Sequence, residues 1–174
     1  MNRKEERTMS SMEEILELSN GDIFSFVGKQ KGLYGVGFLV KEKWKENILE
    51  FRHISDRVTI LKLKIGNCVT SIIQAYAPTC ASSEVQLEAF YDDLDEAMSY
   101  CQTEVRIVMG DFNARLGQRC DGEENVMGPY GYGTRNDRGD RLVQWLWQQK
   151  LTACNSLFKR EQQINGHGNC RMKI

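Results

Sequence analysis

The sequence predicts an α/β fold in which a series of antiparallel strands is followed by helices. Short apolar segments between residues 23 and 75 alternate with brief turns, a pattern typical of antiparallel strands. A helical pattern over residues 83–100 then separates two strand-like segments. A strand, a helix and a strand in succession indicate a crossover unit, so the fold class is mixed α/β rather than a pure β sandwich. At 174 residues the chain suits one domain with a sizeable core.

The predicted strands follow one another closely in the first half of the chain. Turn signals at Asn20-Gly21-Asp22 and Gly66-Asn67 separate two of them from their neighbours. The strands are predicted over residues 23–27, 35–40, 48–54, 58–65 and 68–75. Residues 1–20 are charged, and their few apolar side chains fit either one helical turn or the beginning of a strand. These are Ile15, Leu16 and Leu18.

Two amphipathic helices are predicted in the second half. Ser83 with Gln86 three residues later forms a capping-box pattern that begins the first helix. Asn136 and Asp137 can cap the second, near residues 138–150. Its predicted apolar face consists of Leu142, Val143, Leu146, Trp147 and Leu151. Residues 116–137 between the helices form a long glycine-rich connection, which is usually functional or mobile. Residues 151–157 could begin another strand.

The charge and composition of the chain limit the kinds of function that it can have. With 23 basic and 24 acidic residues the net charge is -1, so no broad basic surface indicates non-specific nucleic-acid binding. No apolar segment is long enough to span a membrane, and the first ten residues are too polar for a secretory signal. We therefore expect an intracellular protein of the nucleus or cytoplasm with no membrane partner. The six cysteines form no CxxC pair, and Cys68 and Cys101 are expected to be small buried side chains.

Polar side chains follow two predicted strands at the points where the strands end. Val105 to Met109 is an apolar run that is followed by Gly110, Asp111 and Asn113. If the chain stays extended, Asp111 and Asn113 project from one face of the strand end and Phe112 from the other. The alternative is an ordinary polar turn that closes a core strand. Tyr76 marks the second strand end, because Pro78 cannot continue a central ladder.

These two strand ends resemble the endonuclease/exonuclease/phosphatase superfamily, which has the DNase I-like fold. Gln-Ala-Tyr-Ala-Pro-Thr at 74–79 and Met-Gly-Asp-Phe-Asn-Ala at 109–114 occur in the family order, about 35 residues apart with a helix between them. The surrounding sequence is similar to the endonuclease domain of non-LTR (LINE-type) retrotransposons and to the craniofacial development protein 2-like proteins. The resemblance covers roughly residues 18–160.

The resemblance implies a fold, a chemistry and a domain division. The fold would be part of a four-layered α/β sandwich of two mixed, largely antiparallel sheets flanked by helices. The activity would be that of a phosphodiesterase dependent on Mg²⁺ (or Mn²⁺) with DNA as substrate. Asp111 would orient or deprotonate the attacking water and contribute to the metal site, Asn113 would bind the scissile phosphate, and Tyr76 would contact the phosphate or the leaving group. Residues 1–17 would be a polar segment, 18–160 an incomplete domain, and 161–174 an irregular tail.

Several family residues have no counterpart in this sequence. The family begins with a strand carrying an Asn and a strand ending in a metal-binding Glu, and it finishes with an Asp after a strand and with Ser-Asp-His. Glu5, Glu6, Glu13 and Glu14 are the early carboxylates, and none follows an apolar strand. His167 has Gly166 where the family has Asp. We therefore expect a domain that lacks its terminal strands.

Two functions remain open from the sequence. The chain is either a DNA-nicking endonuclease domain derived from a retrotransposon and impaired by its missing residues, or a non-catalytic remnant that acts as a binding or interaction protein. Whether it is an active enzyme, and its oligomeric state, stay undetermined. Arg115 and Arg119 follow the Gly-Asp-Phe-Asn segment and could reach a phosphate, but a solvated loop face explains them equally well.

Overall fold

The computed structural model describes residues 12–30 and 33–159. Glu5, Glu6, His167 and the predicted tail 161–174 lie outside these residues. The strands are β1 (Met12–Glu17), β2 (Ile23–Gln30), β3 (Leu33–Val40), β4 (Ile48–His53), β5 (Val58–Ile65), β6 (Cys68–Tyr76) and β7 (Val105–Asp111). The helices are α1 (Glu84–Tyr100) and α2 (Asp137–Gln149), and short 3-10 helices cover Glu42–Asn47 and Cys154–Ser156.

The chain divides into two compact units. The first contains the residues up to Tyr76 together with Asp92–Val108, and the second contains Ala77–Tyr91 and the residues from Met109 onward. Strands form a three-stranded sheet in the order β1-β2-β3 and a four-stranded sheet in the order β4-β5-β6-β7. With two sheets and two helices among the described residues, the predicted α/β class is confirmed.

The core of the first unit lies between strands of both sheets. Ile23 of β2 and Val40 of β3 are buried together with Leu61 and Leu63 of β5. Sequential strands pair antiparallel in four hairpins: β1 with β2, β2 with β3, β4 with β5, and β5 with β6. The alternation of buried and exposed side chains along an antiparallel pair explains why these strands were visible in the sequence. The predicted antiparallel series is confirmed.

Strand β1 lies within residues 1–17, which the sequence analysis placed outside the domain. It pairs antiparallel with β2, and Ile15 stands opposite Ser25. Ile15 and Leu16 are 58% and 43% exposed, so burial of their side chains does not explain the strand. The backbone hydrogen bonds to β2 decide between the two conformations that the local sequence allowed. The sheet therefore extends to Met12.

Both helices begin where the caps predict. Ser83 N donates to Gln86 Oε1 at 3.1 Å and Gln86 N donates to Ser83 Oγ at 3.3 Å, which completes the capping box before α1. Asn136 Oδ1 accepts a hydrogen bond from Gly139 N at 3.0 Å at the start of α2. Neither helix among the described residues is long and apolar enough to cross a membrane.

The buried face of α2 differs from the predicted one at its aromatic residues. Trp145 is 1% exposed and its ring lies 6.1 Å from that of Tyr91, whereas Trp147 is 43% exposed. Leu142, Trp145 and Leu146 follow the i, i+3, i+4 spacing of one helix face, and Trp147 falls beside that face. The assignment of Trp147 to the buried face was therefore wrong. Both tryptophans fit a broad apolar face in the sequence, and the sequence does not show which of them points to the core.

The segment 151–157 does not continue as a strand. Ala153 forms one isolated parallel bridge with Met127, and the 3-10 helix Cys154–Ser156 follows immediately. Ser156 Oγ donates to the Ala153 carbonyl at 2.6 Å, and this local bond closes a turn in place of an extended chain. The apolar content of the segment serves packing rather than a sheet.

The fold explains how buried three titratable side chains are: Cys101, Cys68 and His53. Cys101 is buried as predicted, but Cys68 is exposed because it directly follows the Gly66-Asn67 turn at the start of β6. His53 lies in β4 with Nδ1 2.8 Å from Thr59 Oγ1, and burial lowers its pKa. The hydrogen bond to Thr59 and the partial burial of the ring give this histidine a structural role.

The buried Tyr91 of α1 makes the stability of the second unit sensitive to alkaline pH. Burial raises the pKa of Tyr91 to about 12 from an ordinary value of 10.0. The unfolded chain therefore loses this proton first, so the stabilisation is complete below pH 10 and is lost as the pH rises to about 12.

We expect the free energy of unfolding of the wild-type protein to fall more steeply than that of Tyr91→Phe in this interval, by about 1.4 kcal/mol per pH unit at most. Urea unfolding of both proteins from pH 9 to 12 measures the difference. Parallel curves would contradict the assignment of this proton to a buried phenol.

Candidate functional site

The candidate site begins at the end of β7, two residues beyond the predicted strand end. Asp111 is the last residue of β7, and its carbonyl accepts a hydrogen bond of 2.8 Å from Ala77 N. Gly110 has a φ of 145°, a backbone region that side chains with a Cβ rarely adopt. This glycine therefore allows the strand to reach Asp111 while the chain prepares to turn.

The chain turns at Asn113 and does not stay extended as expected. Asn113 has a φ of 47°, and its backbone N donates to Asp111 Oδ1 at 3.0 Å. This is an Asx turn, which Asp favours because its side chain can accept from the backbone two residues later. Asn tolerates the left-handed conformation better than most residues. Asp111 and Asn113 are thus brought together by a turn rather than by strand alternation.

Two further contacts hold this Asx turn in place within the second unit. Asn113 Nδ2 donates to the carbonyl of Ala77 at 2.8 Å, so Ala77 is linked to both Asp111 and Asn113. Phe112 is 6% exposed and its ring lies edge-on to that of Phe90, with 6.2 Å between centroids. Phe112 therefore anchors the two polar residues on either side of it in the core.

The side chains of the turn retain part of their hydrogen-bonding capacity. Asp111 uses Oδ1 for Asn113 N, and among the residues that the structure describes no hydrogen bond reaches Oδ2. Asn113 uses one of its two amide hydrogens for Ala77. Both groups are half-buried. The arrangement can present one carboxylate oxygen and one N–H to a ligand, although the same bonds also suit a polar turn.

Tyr76, the third predicted site residue, belongs to the first unit and ends β6. Its backbone N donates to the Arg57 carbonyl at 2.9 Å, and its own carbonyl accepts from Arg57 Nη1 at 3.1 Å. The Arg57 guanidinium also lies 5.6 Å from the Tyr76 ring centroid, within cation–π range. Arg57, in the turn between β4 and β5, therefore fixes the position of Tyr76.

The metal site implied by the resemblance can be compared with the donors that are present. Over residues 12–30 and 33–159 no group of three or more His, Cys, Asp or Glu side chains is arranged to hold an ion. Asp111 supplies the one carboxylate of the Asx turn, and Glu13 and Glu14 are exposed residues of β1. A lone carboxylate does not constitute a Mg²⁺ site. The described residues therefore do not fit the ion by themselves.

The glycine-rich connection after the Asx turn is organised around a side-chain pair that the sequence analysis missed. Arg135 Nη1 and Nη2 donate to the two carboxylate oxygens of Glu123 at 2.5 and 2.6 Å. Arg135 Nε also donates to the carbonyl of Leu116 at 2.7 Å. The hydrogen bonds from Arg135 hold the pKa of Glu123 below its ordinary value. Residues 116–135 thus form an ordered loop with a polar clamp.

The two arginines after the Asx turn have different environments. Arg115 is exposed, and its backbone is fixed because its N donates to Asn136 Oδ1 at 2.9 Å. Arg119 Nη1 lies 3.5 Å from the Met127 carbonyl, and Nη2 lies 3.9 Å from Glu124 Oε1. Asn136 Oδ1 thus accepts from Arg115 N and from Gly139 N, so this side chain both joins the loop to α2 and caps the helix. These two hydrogen bonds explain the residue without a ligand.

Comparison with known proteins finds a distant relationship. No protein-family model matches the chain. Over 148 residues it is 28% identical to craniofacial development protein 2 of Bos taurus and, to the same extent, to that of Tragulus javanicus. The matches cover 83% of this chain and 24% and 25% of those proteins, so the chain spans about a quarter of the length of these curated relatives. The chain is therefore a distant relative of craniofacial development protein 2.

Proposed function

We propose that the Asx turn at Asp111–Asn113 is the phosphate-directed part of a phosphodiesterase-type endonuclease domain, derived from a retrotransposon and acting on DNA. One observation supports this most directly: Asn113 is held at a φ of 47° by bonds to Asp111 and Ala77. Non-glycine residues in this conformation cluster at functional sites, where the surrounding structure compensates their strain. The half-buried carboxylate and amide beside it are suited to water and phosphate.

The proposed roles follow from the atoms that the turn leaves available. Asp111 Oδ2 accepts a proton from water as the water oxygen forms a bond to phosphorus and the bond to the leaving sugar oxygen breaks. The second amide hydrogen of Asn113 donates to a phosphate oxygen without adding positive charge. For Tyr76, which belongs to the first unit, the role of contacting the phosphate or the leaving group rests on the resemblance alone.

Dependence on Mg²⁺ or Mn²⁺ is part of the proposal, since a bound ion would neutralise charge on the phosphoryl oxygens. The described residues provide one carboxylate here, which by itself would hold such an ion only weakly. Activity is accordingly expected to be weak.

Nicking of supercoiled plasmid with Mg²⁺ tests the proposal. Asp111→Asn is the sharpest variant because its Oδ1 can still accept from Asn113 N, so the turn is kept while the base is lost. We expect nicking to fall by at least about a hundredfold. Asp121→Asn, which alters an exposed carboxylate elsewhere in the same loop, serves as the control. Equal nicking by wild type and Asp111→Asn would exclude Asp111 as the base.

The backbone of Asn113 predicts a difference between two small substitutions. Asn113→Gly and Asn113→Ala both lose the bond to Ala77, but only alanine suffers the steric cost of the left-handed conformation. We expect Asn113→Ala to be the less stable of the two by about 1 kcal/mol. Urea unfolding measures this, and equal stabilities would mean that the turn relaxes. If both variants also lose nicking, the amide itself is required.

A non-catalytic binding protein is the second candidate. The small number of polar groups at the Asx turn favours this candidate. One carboxylate and one amide, both of which already bond within the turn, do not make a complete hydrolytic site. This candidate predicts no nicking with Mg²⁺ or Mn²⁺ and no rise in melting temperature on addition of either ion. Metal-dependent nicking that Asp111→Asn abolishes would reject it.

A further inference from the structure

Aromatic side chains are exposed on the part of the loop between the two clamp residues, Glu123 and Arg135. Tyr130 is 47% exposed and Tyr132 is 85% exposed, within the segment Pro-Tyr-Gly-Tyr-Gly. Phe158 is 70% exposed on the segment after the last 3-10 helix. These three residues, which we name the aromatic patch, all belong to the second unit. Side chains this exposed contribute little to the core, so folding alone does not require aromatic rings there.

Backbone contacts fix the tyrosine loop to the segment that carries Phe158. Tyr130 N donates to the Ser156 carbonyl at 3.0 Å, and Gly128 N donates to Ser156 Oγ at 2.8 Å. A Cβ on Gly128 would lie only 2.4 Å from the Ser156 carbonyl oxygen, so the two chain segments touch directly. The two chain segments that carry the three rings therefore pack against each other and are not independent loops.

The other side of the tyrosine loop rests on the chain that follows the Asx turn. A Cβ on Gly131 would lie 2.3 Å from the Gly117 carbonyl oxygen and 3.2 Å from Gln118 Cα. Arg135 then holds this contact, because its Nη2 lies 3.3 Å from the Gln118 carbonyl while its Nη1 pairs with Glu123. The loop that presents the rings is thus preorganised, which lowers the entropy lost on binding.

Cationic residues lie close in the chain to the segments that carry the rings. Arg119 follows Gln118 directly, and its contact with Glu124 at 3.9 Å is a weak surface ion pair. Lys159 follows Phe158 and is exposed. Arg115 is exposed on the same stretch of chain. Rings that can lie against the faces of bases, with cations alongside for phosphates, make the combination used by proteins that bind single strands.

We propose that the aromatic patch stacks unpaired bases of a single-stranded nucleic acid while Arg115, Arg119 and Lys159 contact its phosphates. The inference rests on the proposed function and refines it: the DNA would be nicked where it is locally unpaired, a state that negative supercoiling of the plasmid favours. Stacking is favoured over groove reading because Tyr130, Tyr132 and Phe158 lie outside the described helices and strands, which are the elements that read a groove. A protein partner would not need these cations.

Fluorescence anisotropy with fluorescein-labelled oligo(dT) of about 12 nucleotides, in EDTA, tests the proposal on the full chain. We expect the single strand to bind more tightly than a duplex of the same length. Tyr132→Ala should weaken binding by at least about fivefold, whereas Tyr132→Phe should bind like wild type because the ring is kept. Trp44→Ala removes another partly exposed aromatic, beside Lys43 in the first unit, and should have no effect.

Salt dependence and catalysis give independent readouts. With two or three phosphate contacts, log K against log salt should have a slope of about -2. Equal binding of duplex and single strand, no effect of Tyr132→Ala, or no binding at all by the folded protein would overturn the inference. Binding without nicking counts against the proposed function alone, and nicking with wild-type binding by Tyr132→Ala counts against the aromatic patch alone.

Discussion

Replacing Arg135 by methionine is expected to lower the free energy of unfolding by about 2–3 kcal/mol, because a largely enclosed carboxylate loses its cation and two charge-assisted hydrogen bonds. The Arg135 and Glu123 side chains are only 14% and 13% exposed. The substitution leaves the Glu123 carboxylate half-enclosed without its cation, and the carbonyls of Leu116 and Gln118 lose a donor. Urea unfolding followed by circular dichroism measures the change.

A double-mutant cycle separates the pair from its surroundings. Glu123→Leu alone should be destabilising because Arg135 is then left without a counter-ion, and the combined Arg135→Met, Glu123→Leu protein should recover part of the loss. A comparison variant, Lys45→Met, removes the cation of a surface pair in which Lys45 and Glu17 are 39% and 55% exposed, and it should cost far less. An effect below about 1 kcal/mol for Arg135→Met would mean that the loop does not depend on the clamp.

The clamp also predicts acid sensitivity. The pKa of Glu123 is lowered in the folded protein by its hydrogen bonds to Arg135. The stabilisation is therefore present above the pKa of an unfolded glutamate, about 4.3, and it is lost as the pH falls through the lower folded value. The stability of wild type and Glu123→Gln should converge over this acidic interval.

Gly139→Ala is expected to destabilise the protein by about 2 kcal/mol although alanine is the better helix former. Gly139 lies in the first turn of α2, and an added Cβ would fall 2.0 Å from the Arg115 carbonyl oxygen and 2.8 Å from its carbonyl carbon. Both are backbone atoms, so the contact can be relieved only by moving the chain that follows the Asx turn. The steric cost should exceed the gain in helix propensity of about 1 kcal/mol.

The control is an exposed position of the same helix. Gln148→Ala should be nearly neutral, because the residue faces solvent and both side chains favour a helix. Thermal and urea unfolding of the three proteins give the comparison. A Gly139→Ala protein as stable as wild type would show that α2 and the Arg115 segment can separate without cost. Because Arg115 follows the candidate site, the same variant should also reduce any nicking activity.

Much of the fold was predictable because its signals are local. The strands from Ile23 to Tyr76 have alternating or continuous apolar patterns, and turns at positions such as Gly66 separate them. The caps at Ser83 and Asn136 use side chains and backbone atoms within three residues of each other. The local sequence is therefore enough to predict their hydrogen bonds.

The candidate site was predictable only in part. The sequence indicated that Asp111 and Asn113 would lie together at a strand end, with Phe112 in the core. It did not indicate the Asx turn at Asn113, because local alternation and a local turn are both consistent with Gly-Asp-Phe-Asn. The bonds to Ala77 decide between them, and Ala77 is 36 residues away in the chain from Asn113.

The sequence by itself determined the α/β class, the order of the main strands and helices, and the positions of the helix caps. The tertiary structure alone decided that β1 pairs with β2, that Trp145 rather than Trp147 is buried, and that Arg135 organises the glycine-rich loop around Glu123. Each of these depends on a partner outside the local pattern. An exposed strand is stabilised by backbone bonds that any side chain permits, and an ion pair across 12 residues leaves no periodic signal.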